Sequence, residues 1–329
     1  MADLHPALVF CAGLVVILLG AELLLRAASR VATMLGVSPI LIGLTIVAVG
    51  TSMPELAVGL TAAIDGKGPL AVGNIAGTNI LNILFILGLS AMIRPLPTRL
   101  LSVKLDVPVM IATALALYLM ALDGVLDASE GGLLLLAAMF YTAALIHLSR
   151  EESAMVRLQF KHDVAPPMLP PAVGRGPRFA WNAALLLAGM ALTVLGAELM
   201  VAGASEIARR QGVSDAFIGL TIVAIGTSAP ELVTTLVSTY RGDRDVAIGN
   251  LIGSSVYNVL VILGLTVAVS PRPVNVGAEV LRIDLPLAAV VALVCLPVFR
   301  SDSKVSRREG TLFVLAYLSY LGTLLAWRS

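Results

Sequence analysis

Apolar residues fill long unbroken runs along this chain, with no alternation of apolar and polar positions. Ten runs are long enough to cross a bilayer. The first five lie near 6–27, 38–64, 69–92, 104–122 and 129–149. The second five lie near 181–207, 214–240, 245–269, 283–299 and 310–327. A segment in lipid must satisfy its own backbone hydrogen bonds. Without barrel-type alternation, each run is therefore predicted to be a helix. The two sets are separated by a polar stretch, Arg150 to Arg178, that holds Pro166, Pro167, Pro170, Pro171 and Pro177. With few apolar residues to build a core, it reads as a linker. The predicted organisation is a first five-helix repeat over 1–149, a linker over 150–180 and a second five-helix repeat over 181–329.

Composition agrees with a chain that lies mostly in lipid. It is 58% hydrophobic and 13% charged, with mean hydropathy +0.95. The net charge of +1 gives no basic face for nucleic acid. Cys11 and Cys295 sit in separate apolar runs and read as unbonded. The opening MADLHPALVF has no Lys or Arg before its apolar run, so that run reads as a true first span and not a secretory signal. Of the 22 Lys and Arg residues, 16 fall in one set of alternate loops, including the linker. The other six fall in the second set, which includes both termini. The positive-inside rule then predicts a cytoplasmic linker and both termini outside, in the plasma (prokaryotic inner) membrane. Five spans per half is an odd number, so the second half must enter from the opposite side. The repeat is expected to be inverted.

The repeat is written into one phrase. Residues 43–56 read GLTIVAVGTSMPEL and residues 219–232 read GLTIVAIGTSAPEL, with twelve of fourteen positions identical. The offset is 176 residues. Each copy carries a glutamate, Glu55 or Glu231, inside an apolar span, where an ionisable group is costly and marks an ion or proton pathway. Pro54 cannot donate to the carbonyl of Gly50, nor Pro230 to that of Gly226. Carbonyls over Ala48–Thr51 and Ala224–Thr227 are therefore expected to face a cavity. Thr51, Ser52, Thr227 and Ser228 add hydroxyl oxygens. The half-helix after each break turns its positive end toward the carboxylate. Oxygen ligands of this kind suit hard cations. No Cys or His lies in the phrase, which argues against zinc or copper.

A second phrase repeats at the same offset: GNIAGTNILNILFILG at 73–88 and GNLIGSSVYNVLVILG at 249–264. Asn74, Thr78, Asn79 and Asn82 match Asn250, Ser254, Ser255 and Asn258. Thr78 and Asn82 share a helix face, as do Ser254 and Asn258. Asn82 and Asn258 read as site-lining. Gly73, Gly77, Gly249 and Gly253 read as close-packing small residues. Asp106 and Asp284, each two residues before a proline, read as helix-start caps for spans 4 and 9. Glu22 and Glu198 read as membrane-edge carboxylates with Arg26 or polar neighbours.

Taken together, the paired GTSxPEL and GNxxG[TS] phrases resemble the two alpha repeats of the calcium/cation antiporter superfamily, of the prokaryotic sodium/calcium exchanger type. The resemblance covers both halves. It implies an all-α integral membrane protein of ten transmembrane helices, arranged as two inverted five-helix repeats. It also implies four cation sites where Ca²⁺ and Na⁺ compete. By position, Glu55 and Glu231 would be shared central ligands, aided by the carbonyls of Thr51 and Thr227. The carbonyls of Ala48 and Ala224, with Ser52, Ser228, Thr78 and Ser254, would complete flanking Na⁺ sites. Asn82 and Asn258 would face the middle. Similar exchangers can carry aspartate at one or both middle positions. The two asparagines here weaken a case for potassium co-transport and leave proton involvement open. Spans 1 and 6 would slide as a gating pair.

The reading is therefore a secondary antiporter of Ca²⁺ against Na⁺. Proton-coupled exchange is the alternative, and a passive channel or an intramembrane serine enzyme is less favoured. The implied partners are the transported Ca²⁺ and Na⁺ (or H⁺) and the lipid bilayer. No cofactor, no nucleic acid and no obligate protein partner is implied.

Overall fold

A computed structural model gives the fold and describes residues 5–35, 39–98, 102–160, 175–211, 224–301 and 304–328. The first half consists of span 1 (Pro6–Leu35), span 2 (Gly43–Thr51 and Met53–Ile64), span 3 (Gly68–Ile93), span 4 (Lys104–Asp123) and span 5 (Ala128–Phe160). The second half consists of span 6 (Arg175–Arg210), span 7 (Ala224–Thr227 and Ala229–Arg241), span 8 (Arg244–Val269), span 9 (Val280–Arg300) and span 10 (Arg307–Arg328). The span 5 helix continues to Phe160 and the span 6 helix begins at Arg175, both inside the stretch predicted as linker. Residues 214–223, predicted as the start of span 7, and the prolines at 166–171 lie outside the described residues.

The chain's own punctuation sets the helix starts. Pro54, Pro69, Pro108, Pro230 and Pro286 all occupy the first turn of a helix, where a missing N–H is harmless. Spans 5 and 10 begin with reciprocal capping boxes. Glu130 N–H donates to Asp127 Oδ1 at 3.0 Å while Asp127 N–H donates to Glu130 Oε2 at 2.9 Å. Ser306 N–H donates to Glu309 Oε2 at 2.8 Å, and Glu309 N–H donates to Ser306 Oγ at 3.3 Å. At Asp127, the Ser129 hydroxyl and the Glu130 N–H hold the carboxyl below its usual range.

Two short strand pairs establish that the halves are inverted. The strands are β1 (Leu96–Pro97), β2 (Val125–Leu126), β3 (Val274–Asn275) and β4 (Lys304–Val305). β1 pairs antiparallel with β4, and β2 with β3. So the loop between spans 3 and 4 lies on the same face as the loop between spans 9 and 10. The loop between spans 4 and 5 lies with the loop between spans 8 and 9. Repeats of equal orientation would have paired each loop with its own counterpart. The two-fold passes near Asn79 and Ser255, counterparts that touch: Asn79 Nδ2 donates to the Ser255 carbonyl at 2.9 Å.

Spans 3 and 8 cross at the centre, and the largest core cluster is built around them. Spans 1 and 6 lie antiparallel along each other's length. Glycine makes that approach possible: a Cβ on Gly189 would sit 2.6 Å from Leu24 N, and one on Gly196 would sit 2.7 Å from Ile17 Cα. Glu22 pairs with Arg26 at 2.6 Å, as expected, and also reaches Arg241 at the end of span 7, at 2.9 Å.

Asp106 and Asp284 do not act as helix caps. Neither side chain bonds the helix-start backbone, because a wide π-type turn precedes each and the helix N–H groups already have partners. Instead Tyr141 Oη donates to Asp106 Oδ1 at 3.2 Å, and Tyr320 Oη donates to Asp284 Oδ1 at 2.9 Å. Span 4 is thus tied to span 5, and span 9 to span 10, by equivalent Asp–Tyr bonds.

Candidate cation site

The repeated phrase breaks both of its spans. Span 2 bends by 50° between Gly43–Thr51 and Met53–Ile64. The break falls at Ser52, with φ −85° and ψ 12°, and recurs at Ser228 with φ −89° and ψ 9°. It is more local than the sequence implied: the Ala48 carbonyl still accepts the Ser52 N–H at 3.2 Å. A proline removes one backbone bond, not a whole turn of them. Glu55 and Glu231 each sit in the first turn of the new half-helix, at its positive end.

The carboxylates meet the opposite half. Ser52 Oγ donates to Glu231 Oε1 at 3.0 Å, and Ser228 Oγ donates to Glu55 Oε1 at 3.3 Å. Both glutamates and both serines are completely buried. Glu55 Oε2 and Glu231 Oε2 have no donor from the protein. Thr78 Oγ1 lies 3.5 Å from Ser228 Oγ, and Ser254 Oγ lies 3.4 Å from the Ala48 carbonyl. Thr51 Oγ1 is shared between the Ala48 carbonyl and Asn250 Oδ1, each at 3.3 Å. Ala224 and Thr227 bound the short helical piece that leads into the second break, and Thr227 is half-buried beside Ser228.

Asn82 and Asn258 are fully buried, and both lie within widened π-type turns, Leu81–Leu87 and Asn258–Leu263. Such turns are common at functional sites and push a side chain out of the regular helical register. Both amide atoms of Asn82 lack a protein partner. Asn258 Nδ2 donates to Asn79 Oδ1 at 3.1 Å, which leaves its Oδ1 without a partner. One buried cluster therefore holds two carboxylates, hydroxyls and a backbone carbonyl. It supplies oxygen ligands for a hard cation.

The two sides of the cluster differ. A cavity of about 660 Å³ reaches Thr78 and is lined by Asn74, Ile225, Glu279, Asp284 and Tyr320, among others. Two carboxylates, Glu279 and Asp284, stand among its mainly apolar lining. Gly77, read from sequence as a packing residue, has open space where a Cβ would stand. Its counterpart Gly253 is closely packed, with a Cβ position 2.7 Å from Leu44 Cα. Span 8 is buried without interruption from Val246 to Tyr257, whereas Gly73, Asn74 and Gly77 of span 3 are part-exposed. Among the described residues, the cavity that reaches Thr78 opens on the β2–β3 face, while span 8 is closely packed.

Sequence reasoning passed over Asn250 and Asn79 as site residues, although the second phrase contains both. Their bonds to Thr51 and Asn258 depend on how spans 2, 3 and 8 cross, which the phrase alone does not carry.

Residues 5–147 and 181–326 match the family model described as sodium/calcium exchanger protein. The chain is 35% identical over 310 residues to the CaxA protein of Alkalimonas amylolytica, covering 94% of this chain and 95% of that one. It is 30% identical over 343 residues to the sodium/calcium exchanger MaX1 of Methanosarcina acetivorans, covering 95% and 97%. The solved sodium/calcium exchanger of Methanococcus jannaschii superposes with TM-score 0.80 at 27% identity, over 97% of this chain and 98% of that chain.

Proposed function

Because this chain belongs to the sodium/calcium exchanger family, we propose that it is an antiporter exchanging Ca²⁺ for Na⁺ by alternating access. The observation that carries this reading is the pair of buried glutamates, each bonded by a serine of the opposite half. Two carboxylates balance one Ca²⁺ or two monovalent cations, so one site serves both ions in turn.

In this reading Glu55 and Glu231 are shared ligands, and the carbonyls of Thr51 and Thr227 help hold Ca²⁺. Ser52, Ser228, Thr78, Ser254 and the carbonyls of Ala48 and Ala224 form flanking Na⁺ positions. Asn82 and Asn258 face the middle with neutral amides. The cavity beside Thr78 is the access route on one face. The close antiparallel contact between spans 1 and 6, glycine against backbone, supports their moving as one pair against the rest. The Lys and Arg distribution supports a cytoplasmic linker and outside termini, so the open cavity faces outside.

Sodium-loaded proteoliposomes diluted into sodium-free buffer with radioactive Ca²⁺ test the reading, with K⁺-loaded and pH-gradient controls. Uptake that requires internal Na⁺ supports it. Uptake driven only by the pH gradient would transfer the same site to Ca²⁺/H⁺ exchange. Uptake without any counter-ion would make the chain a passive conduit.

A further inference from the structure

Below Glu231 the two halves stop matching. Thr234, Thr235, Ser238 and Thr239 stand where the first half has Val58, Gly59, Ala62 and Ala63. With Glu231 they are spaced i, i+3, i+4, i+7 and i+8, which places them on one face of the second piece of span 7. Each of the four is 0% exposed. Hydroxyls in a membrane helix usually return their hydrogen bond to the carbonyl four residues back. Thr61, Thr142, Thr193, Ser255 and Thr266 do so. Thr234 Oγ1 and Thr239 Oγ1 do not, and no protein group satisfies them. A buried unpaired hydroxyl costs on the order of 1–3 kcal/mol, and polar residues that only glue helices together find partners.

The stripe is joined to the cation cluster at one end and to the β1–β4 face at the other. Thr51 Oγ1 reaches Asn250 Oδ1 at 3.3 Å, and Asn250 Nδ2 donates to Thr235 Oγ1 at 3.2 Å. At the far end Ser238 Oγ donates to the Asp243 carbonyl at 2.6 Å, and Arg241 holds Glu22 of span 1 at 2.9 Å. In this conformation the cavity lies on the opposite face. We infer that Thr234, Thr235, Ser238 and Thr239, with Asn250, line the route by which cations reach the site from the β1–β4 face, closed here and opened in the alternate state. The inference rests on the antiport reading. It adds that the second pieces of spans 7 and 2 differ chemically, with a hydroxyl stripe on one and Val58, Gly59, Ala62 and Ala63 at the matching positions of the other.

The test compares Thr234→Cys and Ser238→Cys with Ala62→Cys, the matching position of the first half, and with the parent chain. All are reconstituted in proteoliposomes. A membrane-impermeant cationic methanethiosulfonate reagent is added from the linker side, and modification is read by mass spectrometry as well as by Na⁺-driven Ca²⁺ flux. The inference expects Ser238→Cys to be labelled from the linker side only, with flux cut at least tenfold, while Ala62→Cys is not labelled from that side. No labelling of Thr234→Cys and Ser238→Cys under any ion condition would overturn it. Thr234→Val keeps the shape without the hydroxyl and guards against a misfolded cysteine variant. Its apparent Ca²⁺ affinity is expected to fall about tenfold at the linker-side face and less than twofold at the other. Equal change at both faces, or none, overturns the inference. If the parent chain shows no coupled flux while Ser238→Cys is still labelled from one side, the antiport reading fails and the polar route stands.

Discussion

Ser52 donates its hydroxyl to Glu231 across the repeat interface at 3.0 Å, and Ser228 returns the contact to Glu55 at 3.3 Å. Neither half can complete its own carboxylate. Each serine sits at the helix break of one repeat and orients the charge of the other, so the site exists only where the halves meet.

Glu55→Gln and Glu231→Gln are expected to abolish Ca²⁺ transport in the proteoliposome assay while the purified protein keeps its melting behaviour. Amide for carboxylate preserves volume and removes the charge that balances the cation. Wild-type flux in either variant would remove the carboxylates from the site.

Ser52→Ala and Ser228→Ala each take away one oxygen and the bond that orients the opposite glutamate. Ca²⁺ affinity, measured by isothermal titration, is expected to drop about tenfold in each, equivalent to ~1.4 kcal/mol. The double variant is expected to lose less than the sum of the two, because the bonds act on one bound ion.

Asn82→Leu separates binding from packing. Neither amide atom of Asn82 has a protein partner, so replacing it relieves an unsatisfied buried group worth about 1–3 kcal/mol. The variant is expected to melt no lower than the parent but to bind Ca²⁺ at least tenfold more weakly. A lowered melting temperature with unchanged affinity would reassign Asn82 to packing.

Gly196→Ala places a methyl against the backbone of Ile17. Spans 1 and 6 must then separate by a fraction of an ångström along their contact, a cost of about 1–3 kcal/mol. The expected result is a lower melting temperature together with slower exchange. Gly176→Ala, which meets nothing within 4 Å, is the neutral control.

Ser306→Ala removes half of the capping box that starts span 10. A loss of about 1 kcal/mol in stability is expected, read as a lower melting temperature with transport unchanged.

The sequence alone determined the spans and the duplication, for reasons that are local. Lipid demands long apolar runs, so span 1 and span 3 could be read from hydropathy. A carboxylate such as Glu55 in such a run is too costly to be incidental, and Pro54 and Pro230 each stand in the first turn of a new half-helix, whereas Pro297 lies inside span 9 without ending it. The odd number of spans in each half was enough to predict inversion. Only the tertiary structure decided what meets what. That Ser52 serves Glu231 depends on how spans 2 and 7 approach one another, and no spacing within either phrase carries that. The Asp106–Tyr141 bond stands where a helix cap was expected because a π-type turn precedes the helix start and Tyr141 of span 5 reaches the carboxylate instead. Gly77 and Gly253 stand at the same position of one repeated phrase, yet one faces a cavity and the other a neighbouring backbone. A shared glycine cannot record that difference, because it is set by which helix packs against each copy.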